Sequence, residues 1–111
     1  MQERTPIWSV RDRWGRDIVL YEDIWFGHIL VGHPDLWGLE TAVARVLEYP
    51  HRILYDAMDD DQECFYRAGM HPEFPDAFIK VCVEFGADGD GVVVTAFVAF
   101  GVRTGEVQRW P

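Results

Sequence analysis

The stretch "WFGHILVGHPDLWG" (25–38) sets His28 and His33 five residues apart, between apolar residues and Pro34. An imidazole titrates near neutral pH, so either histidine could move a proton. Packing and capping are the competing reading. His33 precedes Pro34 and a helix beginning at Asp35, which suits a residue that starts a helix. His28 follows Ile24 by one turn and sits beside Ile29, which suits a boundary residue. Strand alternation adds further groups, because odd and even positions face opposite sides. In "FIKVCVEF", Ile79, Val81 and Val83 share one face, and Lys80, Cys82 and Glu84 the other. In "GVVVTAFV", Val92, Val94, Ala96 and Val98 form an aliphatic face, with Val93, Thr95 and Phe97 opposite. In "ECFYRAG", Phe65 and Arg67 alternate with Cys64 and Tyr66. If the aliphatic faces pack on helices, Lys80 and Thr95 project together from the other face, and register decides whether Arg67 joins them. Such a surface could hold a phosphate and a stacked base; a solvated sheet face is the alternative.

Other candidate motifs are weaker. Asp88-Gly-Asp90-Gly resembles a calcium loop, but Ala99 stands where the closing Glu belongs, so a hairpin turn is expected. Asp59, Asp60 and Asp61 read as a solvated loop. His51 begins a strand and His71 precedes Pro72, neither with a recognisable partner. The four histidines show no i, i+4 pair and no cysteine partner, so no metal site is expected. Cys64 and Cys82 match no zinc motif and read as two free thiols in a reducing compartment.

The elements that position these groups follow from periodicity. Strands are expected at 7–11 and 17–21 around Gly15. A short helix from Asp23 stops at Gly32. "PDLWGLETAVARVLEYP" reads as the clearest helix, with Leu36, Leu39, Val43, Val46 and Leu47 at helical spacing and Pro50 closing it. Four alternating strands follow at 51–58, 63–69, 77–86 and 91–101, joined by short turns that favour an antiparallel meander. The expected fold is α+β: an N-terminal hairpin, then two helices on one face of a roughly four-stranded antiparallel sheet.

The chain of 111 residues makes a single domain, 1–111. Its hydrophobic fraction of 49% and aromatic fraction of 14% suffice for a core and leave some rings as contact surface, Trp25 or Trp37 among them. The formal net charge of −9 argues against non-specific grip on nucleic acid or anionic membranes. The acids crowd into turns, however, which leaves room for a basic cleft elsewhere. No signal-length or membrane-span apolar run is present, so a cytoplasmic site of action is expected, with membership of a larger secreted protein left open.

The run "GRDIVLYEDIWFGHILVGHPDL", the helix ending "VLEYP", then "RILYDAMDDDQECFYR", "IKVCVEF" and "VVVTAF" resemble, in that order, the phage-associated nucleases of the barnase–EndoU–colicin–RelE superfamily. The likeness spans roughly residues 15–98. It implies a metal- and cofactor-independent endoribonuclease of toxin or phage-effector type, acting on RNA such as tRNA. The ribose 2′-OH attacks the adjacent phosphate, leaving a 2′,3′-cyclic phosphate. By the same resemblance, His28 serves as general acid or base, with His33 as the second choice. Arg67 and Lys80 stabilise the phosphate, Thr95 orients it, and Tyr66 stacks or donates. An immunity or antitoxin protein is a conceivable partner. Phe97 stands where the family carries tyrosine.

The alternative is a catalytically silent binding module on the same fold, docking to a basic partner through acidic loops and exposed tryptophans. A nuclease should join His28, Lys80 and Thr95 in a positive pocket. A binding module should separate them and expose an apolar patch.

Overall fold

The computed structural model describes residues 3–111, the side chains of 59 and 60 excepted. Seven strands form one sheet: β1 (Pro6–Arg11), β2 (Asp17–Tyr21), β3 (Arg52–Asp56), β4 (Asp59–Ala68), β5 (Phe78–Phe85), β6 (Gly91–Ala99) and β7 (Glu106–Trp110). Their order is β1-β2-β6-β5-β4-β3-β7. The fold is α+β, and β3 to β6 form the expected antiparallel meander. The sheet is larger than the expected four antiparallel strands. The N-terminal hairpin joins it through a short parallel pairing of β2 with β6, at Ile18–Gly91 and Val19–Val92. Gly91 is needed at this junction, because a Cβ there would lie 2.6 Å from Val83 Cγ1. β7 adds a strand beside β3. Its sequence "EVQRW" is mostly exposed on both sides and so carries no apolar alternation to announce it.

Turn chemistry closes the hairpins. Gly15 takes φ +79° between β1 and β2, where Asp12 Oδ1 accepts the N–H groups of Trp14 and Arg16. Asp88 Oδ1 accepts the Asp90 N–H in the β5–β6 turn, as a hairpin reading requires. The β3–β4 turn is Ala57–Met58. The backbone of 59–61 therefore opens β4 and is not the loop expected from three successive acids.

The helical stretch 22–32 is not one regular helix. Single α-turns at Glu22–Ile24 and Leu30–Gly32 flank a π-turn, Trp25–Ile29, in which the Leu30 N–H bonds back to the Trp25 carbonyl. Glu22 and Asp23 lie at its positive end. Trp25, at 0% exposure, is buried, contrary to the exposed role expected for it; its indole N–H donates to Glu40 Oε1 at 2.9 Å. The single helix expected from Asp35 is also broken. A 3-10 turn, Pro34–Leu36, ends at Gly38, whose φ of +80° no helix accommodates, and a helix restarts at Glu40–Glu48.

Alternation gives the sheet two packed faces. Ile18, Leu20, Ile53, Phe65, Ile79, Val81, Val83, Val93 and Ala96 meet Trp25, Ile29, Leu36, Val43, Val46 and Leu47 in the main core. On the reverse face Leu54, Cys64, Tyr66 and Cys82 form a second, smaller cluster, with Phe78, Val94 and Ala99 against it. A bulge in β6 corrects the expected parity there. Cys82 pairs with Thr95 but Val83 pairs with Val93, so Val94 is an extra residue. Val93 therefore faces the core, and Val94 faces the reverse cluster. No helix among the described residues is long and apolar enough to cross a membrane.

Candidate functional site

The residues singled out in the sequence fall into separate places. Lys80, Tyr66 and Thr95 share the reverse face, as alternation predicts. There Lys80 Nζ bonds Glu106 Oε1, and the Tyr66 hydroxyl donates to Glu106 Oε2 at 2.7 Å. The side chains of Lys80 and Glu106 are only 6% and 3% exposed. Burial works to lower the Lys80 ammonium, but its hydrogen bonds to Glu106 and Tyr66 outweigh that and hold it above the ordinary lysine range. Burial pushes the Tyr66 phenol up in turn. The polar atoms of both residues are committed to a carboxylate from β7, so neither is presented to a phosphate.

His33 stacks on Phe97, with ring centroids 5.3 Å apart at 28°, and Lys80 Nζ lies 5.4 Å from the centre of the same ring. Phe97 is thus an apolar spacer between an imidazole and a buried ammonium. Thr95 is half-buried beside them on β6. His28 lies exposed on the π-turn, and among the described residues it has no hydrogen bond or ring contact with Lys80, Thr95 or Arg67.

Arg67 does not join Lys80. It pairs with Ile79, shares the parity of Phe65, and so lies on the helix-bearing face. Its Nη1 donates to the Tyr49 carbonyl at 2.6 Å. It lines a cleft of about 480 Å³ with Arg11, Arg13, Glu48, Tyr49 and Trp110, Asp12 lying beneath. Four parts of the chain converge here. They are the β1–β2 turn, the end of the helix Glu40–Glu48 before Pro50, and the far ends of β4 and β7.

Charge is uneven in this cleft. Arg13 lies over the Trp110 ring, 4.0 Å from its centre. Arg11 pairs with Asp17 at an exposed site. Asp12 is taken by Arg16, which also grips Glu63 at 2.8 and 2.9 Å. Glu48 faces Arg45 at 3.4 Å. Among the described residues, neither Arg13 nor Arg67 has a carboxylate partner. Two guanidiniums not neutralised by carboxylates, beside an exposed tyrosine ring, form a surface on which phosphates bind and bases stack.

His51 adjoins this cleft. Its Nδ1 accepts the Ala68 N–H at 3.1 Å, so in the neutral ring Nε2 carries the proton. Burial first, then the charges of Arg67 and Arg52, hold its imidazole below the usual value of 6.5. It is therefore neutral near pH 7, and its one basic nitrogen, Nδ1, is the atom that holds the Ala68 N–H. Arg13, Tyr49 and His51 were not selected by sequence reasoning. A usable signal was the cluster "EYPHR" (48–52), which sets a carboxylate, a phenol and an imidazole around a proline that ends a helix.

Among the described residues no group of three His, Cys, Asp or Glu side chains could hold a metal ion. Compared with models of protein families, with curated proteins and with solved structures, the chain matches none.

Proposed function

We propose that the protein is a metal-independent RNA-cleaving domain whose working site is the cleft of Arg13, Arg67 and Tyr49, with His51 beside it. The observation that carries this reading is that Arg13 and Arg67, two of the arginines without a carboxylate partner among the described residues, meet in one cleft of a chain of net charge −9. An acidic protein that gathers free cations and aromatic rings in one cleft has a place for a phosphodiester. His51, its basic Nδ1 released from the Ala68 N–H, takes the proton of a ribose 2′-OH, and the resulting alkoxide attacks the adjacent phosphorus. Arg13 and Arg67 offset the charge that grows on the phosphorane oxygens. The 5′-oxygen leaves and is protonated by solvent, giving a 2′,3′-cyclic phosphate. The resemblance to the barnase–EndoU–colicin–RelE superfamily supports the same reaction class, with the proton-transfer role placed at His51 in preference to His28 or His33.

The test is incubation of the protein with RNA oligonucleotides in EDTA. Products should carry cyclic-phosphate ends, His51→Ala should cost about a hundredfold or more in rate, and His28→Ala should cost little. No cleavage, or undiminished cleavage by His51→Ala and Arg67→Ala, overturns the reading.

The alternative of a silent binding module is supported by the two features expected of it, the separation of His28 from Lys80 and Thr95 and an exposed apolar patch. Phe26 and Trp37 are 51% and 72% exposed, and their rings meet edge-on at 6.4 Å. Between Asp17 and Ala44 the chain has five acids and no Lys or Arg. That patch suits a basic amphipathic segment of a partner protein. Under this reading a Lys-rich amphipathic peptide binds the wild type and not Trp37→Ala, and no RNA is cut.

A further inference from the structure

The small core on the reverse face contains a pair of thiols that RNA cleavage does not use. Cys64 on β4 and Cys82 on β5 are directly opposed in the antiparallel register. Residues so placed have Cα atoms about 4.5–5.5 Å apart, within the span a disulfide bridges. The two Sγ atoms lie 2.9 Å apart, and the residues are 6% and 4% exposed. The contact is therefore within a short movement of bonding, with no backbone rearrangement required.

The surroundings make the two sulfurs unequal. Either thiol can donate across the contact; with Cys64 as donor the bond lowers the Cys82 thiol, and the Lys80 ammonium acts in the same direction against burial. That donation, followed by burial, raises Cys64. Cys82 is thus the sulfur that reaches the nucleophilic thiolate first.

We propose that Cys64 and Cys82 are a modification site, a dithiol that a small hydroperoxide oxidises to a disulfide joining β4 to β5. The Cys82 thiolate attacks one peroxide oxygen. The O–O bond breaks, leaving a sulfenic acid on Cys82, and the departing hydroxide is protonated to water. Cys64 then attacks the sulfenyl sulfur. The S–S bond forms, the S–O bond breaks, and the oxygen leaves as a second water. Two thiols lose two electrons and two protons in all, and one peroxide is reduced. Because the partner sulfur is already in place, the second step outruns further oxidation of Cys82. The proposal stands whether or not the Arg13–Arg67 cleft cleaves RNA.

The experiment treats the folded protein with hydrogen peroxide and reads intact mass, titratable thiols and a peptide map. A loss of two hydrogens, no remaining free thiol and a crosslinked peptide pair containing Cys64 and Cys82 are expected. All should be reversed by dithiothreitol. Bridging should be about tenfold or more faster in the folded protein than in the same chain unfolded in urea. Cys64→Ser should instead stop at a sulfenic acid or proceed to a sulfinic acid on Cys82. The proposal is overturned if wild-type Cys82 gains oxygen while Cys64 stays free. It is equally overturned if only intermolecular disulfides form, or if the unfolded chain bridges as fast as the folded one.

Discussion

The Arg13 guanidinium rests 4.0 Å above the centre of the Trp110 ring, so the turn after the first strand is stacked on the last strand of the sheet. The contact fixes a cation at the cleft mouth with its hydrogen-bonding edge free. An exposed contact of this kind contributes about 0.5–1 kcal/mol. Arg13→Ala should therefore lower stability by about that amount in chemical denaturation. Its effect on RNA affinity should be larger, about tenfold, and the slope of log affinity against log salt should fall by about one. A tenfold loss of affinity with an unchanged salt slope would show that Arg13 does not meet a phosphate.

His51 gives the cleavage reaction a particular pH dependence. The base must be neutral to work, so activity is lost as pH falls through its pKa. Burial and the charges of Arg67 and Arg52 hold that pKa below 6.5. The acid limb of the rate profile should then lie below pH 6.5, and Arg67→Gln should move it upward. A limb at or above 6.5 in the wild type would remove His51 from the role.

The Lys80–Glu106–Tyr66 cluster controls alkaline stability. Both Lys80 and Tyr66 have folded-state values raised above their unfolded ones. Groups raised in this way stabilise the fold fully below their unfolded values, about 10 to 10.4, and that stability drains away as pH climbs beyond them. Melting temperature should drop steeply above about pH 10. Lys80→Met, which strands the Glu106 carboxylate, should cost about 3 kcal/mol at pH 7. Adding Glu106→Leu should restore much of that loss and flatten the alkaline drop, as measured by thermal scans across pH.

Two tryptophans of similar sequence setting should behave oppositely. Trp25→Ala empties the middle of the core and frees Glu40, and should cost about 3–5 kcal/mol. Trp37→Ala should change stability by no more than about 0.5 kcal/mol. Urea titrations of the two variants separate them directly.

These outcomes track what could be read from the residues. β5 was legible to within one residue at each end, because "FIKVCVEF" is an unbroken strand and alternation places Lys80 and Cys82 together. The same rule misplaced Val93 and Val94 in β6, because a bulge changes parity without a sequence mark. The π-turn and the break at Gly38 were hidden by an apolar spacing that suits a continuous helix. The cleft was the least legible part. Residues 11–13, 48–51, 67 and 110 meet only because β7 returns beside β3 and the first hairpin folds towards it. No local pattern encodes that closure. The five-residue spacing of His28 and His33 was a local pattern, yet the structure gives the two rings different surroundings.

The bulge at Val94 also bears on how the strand tolerates changes of length. Without that residue, Val93, Thr95, Ala96 and Phe97 would follow one another in strict in–out order, and no downstream side chain would change sides. A codon lost at this point would cost Val94's own contact with the reverse cluster and spare the remainder of the ladder. The same deletion one strand away, at Val81, would turn Cys82 and every later residue of β5 inside out.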